Sequence, residues 1–263
     1  MMRKITAATV VSIGLSTAAD AEPVALKFSN DWQSEAVVYL FLPTSTSGTS
    51  TVAGQPAPVD LDLRDALELL DFAVAGRFES WRGNFGLVAD LNYLSLKADS
   101  RLPGPVGASV NVDVKQYWLG FMGAYRVASG TMSTSGRRYS IDLQAGARYN
   151  SLKQEVSIAG PGPGVTLGGT ETWWEPVIGA RAVWEINDRW TGVLMADAGG
   201  FGAGGNDLQW SATLGFDYGI NESSAIKMGL RYYSIDFSTT RSDGEFAYDV
   251  DQVGPFIGYA YKF

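Results

Sequence analysis

From Ala36 onward the chain alternates apolar and polar residues with a period of two. Side chains alternate faces along a β-strand, so this period predicts strands with two chemically different sides. In the clearest run, Tyr139, Ile141, Leu143, Ala145, Ala147 and Tyr149 share one face, and Ser140, Asp142, Gln144, Gly146, Arg148 and Asn150 the other. Residues 174–185, 208–218 and 252–263 repeat the pattern. The expected strands are ten: 35–48, 71–81, 85–98, 111–127, 138–156, 172–186, 189–198, 207–218, 225–238 and 247–263. A Gly-rich seventh strand and an ambiguous first leave counts of eight and twelve open.

A soluble sandwich also alternates, so the period alone does not fix the class. The expected strands run to about ten residues or more, against about 5–6 in soluble sheets and about 9–11 for a tilted membrane strand. The polar face mixes charges with glycines, as a confined lumen requires. Aromatics gather at strand ends: Trp81, Phe85, Tyr125, Tyr139, Trp184, Trp190, Tyr218 and Phe263 near one set of connections, and Trp118, Trp173, Trp174, Trp210, Tyr232 and Tyr233 near the other. Two aromatic girdles around an apolar band mark a membrane barrel. The expected fold is therefore all-β, a closed antiparallel up-and-down transmembrane β-barrel. The alternation changes phase at Tyr232-Tyr233, which leaves the register there open.

The connections are of two kinds. Those at 81–84, 186–189 and 219–224 are short, and 128–136 is longer and rich in Ser, Thr and Gly. The connections at 49–70, 99–110, 157–171, 199–206 and 239–246 are mostly longer and rich in Gly, Pro, Ser and Asp. An even strand count with short inner turns puts both termini in the periplasm. In the first outer loop, Leu63, Ala66, Leu67 and Leu70 share one helical face behind Asp62, a candidate N-cap. This predicts a short helix that caps the barrel mouth or plugs it.

Residues 1–21 follow another logic. Met1-Met2-Arg3-Lys4 is basic, Ile5 to Ala19 is apolar or small, and Ala19-Asp20-Ala21 is an A-x-A site. This reads as a cleaved signal peptide, with residues 22–263 as one barrel domain. There is no uninterrupted apolar run of helical membrane-span length. The chain has no cysteine, so no disulfide framework braces the exported domain. The formal net charge of −8 argues against nucleic acid as a partner.

The C-terminal hexapeptide Gly258-Tyr-Ala-Tyr-Lys-Phe263 resembles the terminal signal of bacterial outer-membrane proteins through Gly258, Tyr261 and Phe263; Phe256 departs from it, standing where a polar residue is usual. That resemblance implies recognition by the barrel assembly machinery. As an architecture the mature chain resembles small barrels of the OmpA and OmpX type. The runs 60–63, 70–79 and 83–93 look like a proteobacterial group without assigned activity, and bring no functional residues with them.

The chain has no histidine, the residue whose pKa suits neutral acid–base work. Omptin-type proteases, lipid A deacylases and palmitoyltransferases, and the outer-membrane phospholipase rely on a histidine in the active site, so no enzyme activity, cofactor or metal is expected. Glu175 and Glu185 lie too far apart on one strand to share a bond, and Asp60/Asp62 and Asp249/Asp251 are too few for a metal site. The glycine run 199–205 lacks the Lys-Ser/Thr and helix of a phosphate loop. What the polar face does supply is a set of lumen-lining candidates: Arg77, Glu79, Asp90, Arg126, Asp142, Arg148, Glu175, Arg181, Asp217 and Arg231, with Glu185, Asp197, Lys227 and Lys262 in the same phase. Mixed charges in so narrow a barrel suit an ion-paired, largely filled lumen. The leading expectation is a non-catalytic, monomeric outer-membrane barrel with a structural or surface-interaction role, in contact with lipid and lipopolysaccharide. The alternative is a narrow, porin-like channel for ions or small solutes.

Overall fold

The computed structural model describes residues 29–101 and 108–263; the expected signal peptide lies outside the described residues. In chain order the elements are β1 (Gln33–Phe41), β2 (Ser45–Val52), β3 (Gln55–Asp62), α1 (Leu63–Leu69), β4 (Leu70–Arg82), β5 (Phe85–Arg101), β6 (Ser109–Thr131), β7 (Arg138–Ala159), β8 (Val165–Glu185), β9 (Trp190–Ala203), β10 (Asn206–Asn221), β11 (Ser224–Arg241) and β12 (Gly244–Lys262). Ten of these strands, β1 and β4 through β12, form an antiparallel ring. It closes where β12 returns to β1, with Tyr39 opposite Gly258 and Ala36 opposite Tyr261. Closure matters because a sheet edge in hydrocarbon would leave backbone groups unpaired.

The ring has a turn end, where residues 83–84, 132–137, 186–189 and 222–223 reverse the chain, and a hairpin end, where the strands overrun the expected connections. The expected loop 157–171 contracts to residues 160–164, and 239–246 to 242–243. The first expected strand, 35–48, is interrupted at residues 42–44, where Pro43 lacks an N–H for a ladder. The expected loop 49–70 contains a hairpin: β2 runs along β12, from Ser45 opposite Val253 to Thr51 opposite Ala247, and β3 runs along β2. Helix α1 starts at Asp62, whose carboxylate accepts from the Asp65 N–H at 2.9 Å. It buries no side chain and connects β3 to β4 beside the wall, so it neither fills the lumen nor plugs it.

The outward face of the ring is an apolar belt. Phe78, Phe85, Leu87, Phe121, Leu143, Ile178, Leu194, Leu214, Leu230 and Ile257 are all exposed on it, as are Tyr259, Tyr261 and Phe263. From Val253 onward β12 turns apolar residues outward, and its final aromatics explain themselves as lipid-facing anchors rather than buried core.

Towards the hairpin end the two faces exchange chemistry. On β7, residues 139–149 place Tyr, Ile, Leu and Ala outward and Asp142, Gln144 and Arg148 inward; beyond them Ser151, Lys153 and Glu155 point outward while Leu152 is fully buried inside. On β6, Asn111, Asp113 and Lys115 face outward and Val110, Val112 and Val114 share the inward phase of Gln116 and Trp118. On β11 the exchange falls at Tyr232-Tyr233. Pairing with β12 runs through that dipeptide without a register shift, so the apparent phase change is a change of solvent, not of register.

The buried core follows from this. Trp118, Leu152, Trp173, Tyr233, Ile235, Phe237, Phe246, Tyr248 and Val250 pack together inside the hairpin end. Trp118, Trp173 and Tyr233, expected in a girdle, are interior residues. So is Trp81, which lies against Gly86; a Cβ at Gly86 would meet its ring at 2.7 Å. Tyr149 and Trp174, with ring centroids 5.3 Å apart, and Trp210 and Tyr232, 4.7 Å apart, remain on the outward face.

Candidate functional site: the lumen

The ten lumen candidates are drawn from seven of the ten ring strands, and the ring brings all of them to its interior. Arg77 on β4 contacts Glu79 at 2.6 Å and pairs with Asp90 of β5. Arg181 on β8 reaches across the lumen to Glu79 at 2.5 Å and holds Asp142 of β7 at 2.9 Å. Arg126 of β6 takes the other Asp142 oxygen at 3.0 Å. The Trp81 indole donates to Glu79 at 3.0 Å and lies under both Arg126 and Arg181, with guanidinium carbons 4.6 and 5.2 Å from its centroid. Buried charges are tolerable only when paired and hydrogen-bonded, and this network supplies both.

A second group sits nearer the hairpin end. Arg148 contacts Asp197 at 2.5 Å and Glu175 at 3.6 Å. Glu175 also accepts from the Trp173 indole at 3.0 Å and from Asn206. A third group closes the circuit near the turn end, where Lys227 contacts Asp217 at 2.6 Å and Glu35 at 2.9 Å.

Between these groups lies a cavity of about 450 Å³. It extends from Gln33, Ser223 and Phe263 at the turn end to Trp118 and Arg231 at its inner limit. Above that limit the aromatic core fills the barrel: Trp118 stacks on Tyr233 at 5.2 Å and Trp173 on Phe237 at 4.0 Å. Gln116 donates to the Tyr233 hydroxyl at 2.7 Å. The core comes from barrel strands rather than from connections, so strand packing holds it in place.

Period-two reasoning identifies the inward phase of each strand but misses this core, because large aromatics near strand ends look alike whether they face lipid or lumen. The signal was present in runs such as Asn111-Val-Asp-Val-Lys115 and Ser234-Ile-Asp-Phe-Ser238, where the apolar phase inverts. Gly258 and Phe256 also prove to be interior. Gly258 lies beneath Tyr39, where a Cβ would approach the Tyr39 Cβ to 2.6 Å, and Phe256 meets the Tyr39 ring edge-on at 6.3 Å.

Among the described residues no group of acidic side chains is arranged to hold a metal ion. No protein-family profile and no curated protein sequence matches the chain. The fold is similar to the translocator domain of the autotransporter NalP from Neisseria meningitidis, at 13% identity over 88% of this chain and 88% of that one, with a TM-score of 0.41. It is similar to the outer membrane protease OmpT from Escherichia coli, at 10% identity over 91% and 99%, with a TM-score of 0.45. It is also similar to the outer membrane protein OprG from Pseudomonas aeruginosa, at 15% identity over 92% and 99%, with a TM-score of 0.36. Only closed barrels and helices satisfy the backbone in lipid, and this closed ring carries a lipid-facing belt around a charged interior: the chain is an outer-membrane β-barrel protein.

Proposed function

We propose that the protein is a non-conducting, non-catalytic barrel whose hairpin end is a rigid interaction platform on the cell surface. The observation that carries this reading is the interior aromatic core, which fills the barrel directly above the ion-paired lumen. Beyond Trp174, residues 165–173 of β8 extend roughly 30 Å along the strand at about 3.3 Å per residue. With Ser, Thr, Lys, Asp and Glu turned outward on the extended strands, that platform suits water rather than lipid.

In this reading the turn end and both termini are periplasmic, in keeping with short inner turns and longer outer connections. The belt contacts outer-membrane lipid and lipopolysaccharide, and Gly258, Tyr261 and Phe263 present the closing strand to the assembly machinery. The protein acts as a monomer. Its lumen carboxylates serve arginines and lysines rather than a reaction.

Single-channel recording of residues 22–263 in a planar bilayer tests the reading. A chain shown to be a folded barrel by circular dichroism and heat-shifted gel mobility is expected to give no discrete openings. Stable openings altered by Arg148→Ala or Arg181→Ala would replace it with the narrow channel.

A further inference from the structure

One sector of the wall is not laddered. The β1–β4 pairing ends at Tyr39 opposite Ala75, and the β2–β3 pairing begins at Ser45 opposite Asp62. Between these two pairs, residues 40–44 face residues 63–74. The longer side takes up its excess as α1, and residues 70–74 of β4 pair only with β5. The shorter side follows β12 instead: Leu42 N–H donates to the Pro255 carbonyl at 2.9 Å and Thr44 N–H to the Val253 carbonyl at 2.8 Å. The wall therefore has a slot beside β4, just inside the level of Tyr93.

Behind the slot is a small hollow of about 40 Å³. Leu40 and Val74 line it on the bilayer side, Pro43 borders it, and Ala73, Asn92 and Arg231 are among its inner residues. Arg231 also borders the larger cavity, so its side chain stands between the two spaces. Arg77, Arg126, Arg148 and Arg181 each have a carboxylate partner. Arg231 has no carboxylate in contact among the described residues, and the charges of Asp90 and Asp197 act on it from longer range. It donates to the Tyr39 hydroxyl at 3.3 Å, lies over the rings of Phe41, Trp118 and Tyr233, and leaves its buried Nε without a hydrogen-bond partner.

A guanidinium with no carboxylate in contact, at the inner end of an apolar slot, is complementary to one kind of molecule. The guanidinium fork suits a carboxylate or phosphate, and the slot suits a hydrocarbon chain that remains in the bilayer. We propose that the slot and Arg231 form a binding site for a single-chain anionic amphiphile drawn from the membrane. Its head group displaces the Tyr39 hydroxyl from Arg231, and its chain lies between Leu40 and Val74. The site needs no passage through the hairpin end, so it stands whether or not the lumen conducts.

The test uses the folded chain in phosphatidylcholine vesicles, with cis-parinarate as a straight-chain fluorescent carboxylate and its methyl ester as the uncharged control. Quenching of tryptophan emission reads binding, since Trp118 lies beside Arg231. The acid is expected to bind saturably, with the ester and the Arg231→Gln variant each at least tenfold weaker. An Ala73→Trp variant, which fills the hollow between the slot and Arg231 and leaves Arg231 in place, is expected to weaken the acid to the same degree. Equal binding of acid and ester, or an Arg231→Gln barrel that binds as wild type, would overturn the site. Undiminished binding by Ala73→Trp would overturn entry through the slot and place the ligand in the turn-end cavity. Dodecyl phosphate competing as well as laurate would show that the head group is read by its charge alone.

Discussion

Asp142 shows what a single lumen residue carries. Its side chain is fully buried and bridges Arg126 and Arg181, so Asp142→Ala removes a buried carboxylate from both guanidinium groups and leaves Arg181 with Glu79. Breaking a buried pair in this way costs about 3–5 kcal/mol. Leu152→Ala, in the interior core, is expected to cost about 2–5 kcal/mol through lost burial and the cavity left behind. By contrast, Arg64 and Glu68 on α1 are both well exposed, and Arg64→Ala should change stability by less than about 0.5 kcal/mol. Urea titration in vesicles, with gel mobility reporting the folded fraction, ranks the three; a loss at Arg64 equal to that at Asp142 would refute the ranking. Asp142 was legible in the sequence because parity alone places it opposite the lipid-facing Ile141 and Leu143. Trp81, Trp118, Trp173 and Tyr233 were not, because their face depends on where the interior stops being polar, and that level is set by all the strands together.

The strands and their caps account for most of what could be read in advance. The N-cap at Asp62 and the inward phases of β7, β8, β10 and β12 follow from local rules. The break at residues 42–44 and the β2–β3 hairpin do not, since both depend on pairing with β12 far along the chain. At the hairpin end, Asp243 accepts from the Gly168 N–H at 2.7 Å and so ties the β11–β12 turn to β8. That hydrogen bond, followed in size by the opposing effect of burial and then by further hydrogen bonding and the Arg241 charge, leaves the Asp243 carboxyl below its ordinary value. A depressed carboxyl favours the folded form most above the unfolded value of about 3.9, and the benefit fades as pH falls through the lower, folded value. Hydrogen exchange at the Gly168 amide should therefore stay slow from neutral pH down to about 4 and then quicken relative to its intrinsic rate. Asp243→Asn should remove this acid-side step; a variant that keeps it would place the titration elsewhere.

For the whole molecule, the proposed orientation makes a direct prediction on intact cells. The chain has no cysteine, so introduced thiols report without background. A cysteine at Gly162, in the connection between β7 and β8 with open space around it, should react with a membrane-impermeant maleimide. A cysteine at Asn84, in the β4–β5 turn, should react only after the outer membrane is opened. Labelling in the opposite order would reverse the assignment of the two ends.

The exchange of chemistry between the two faces also sets the depth at which the barrel sits. Moving it inward would drag Ser151, Lys153 and Asp113 into hydrocarbon, and moving it outward would lift Tyr149 and Trp174 into water. Both displacements are opposed at the same level on several strands, so the barrel has one floating line. In a bilayer thicker or thinner than its belt, the molecule cannot ride higher or lower, and the mismatch must be taken up by tilt or by the lipid itself.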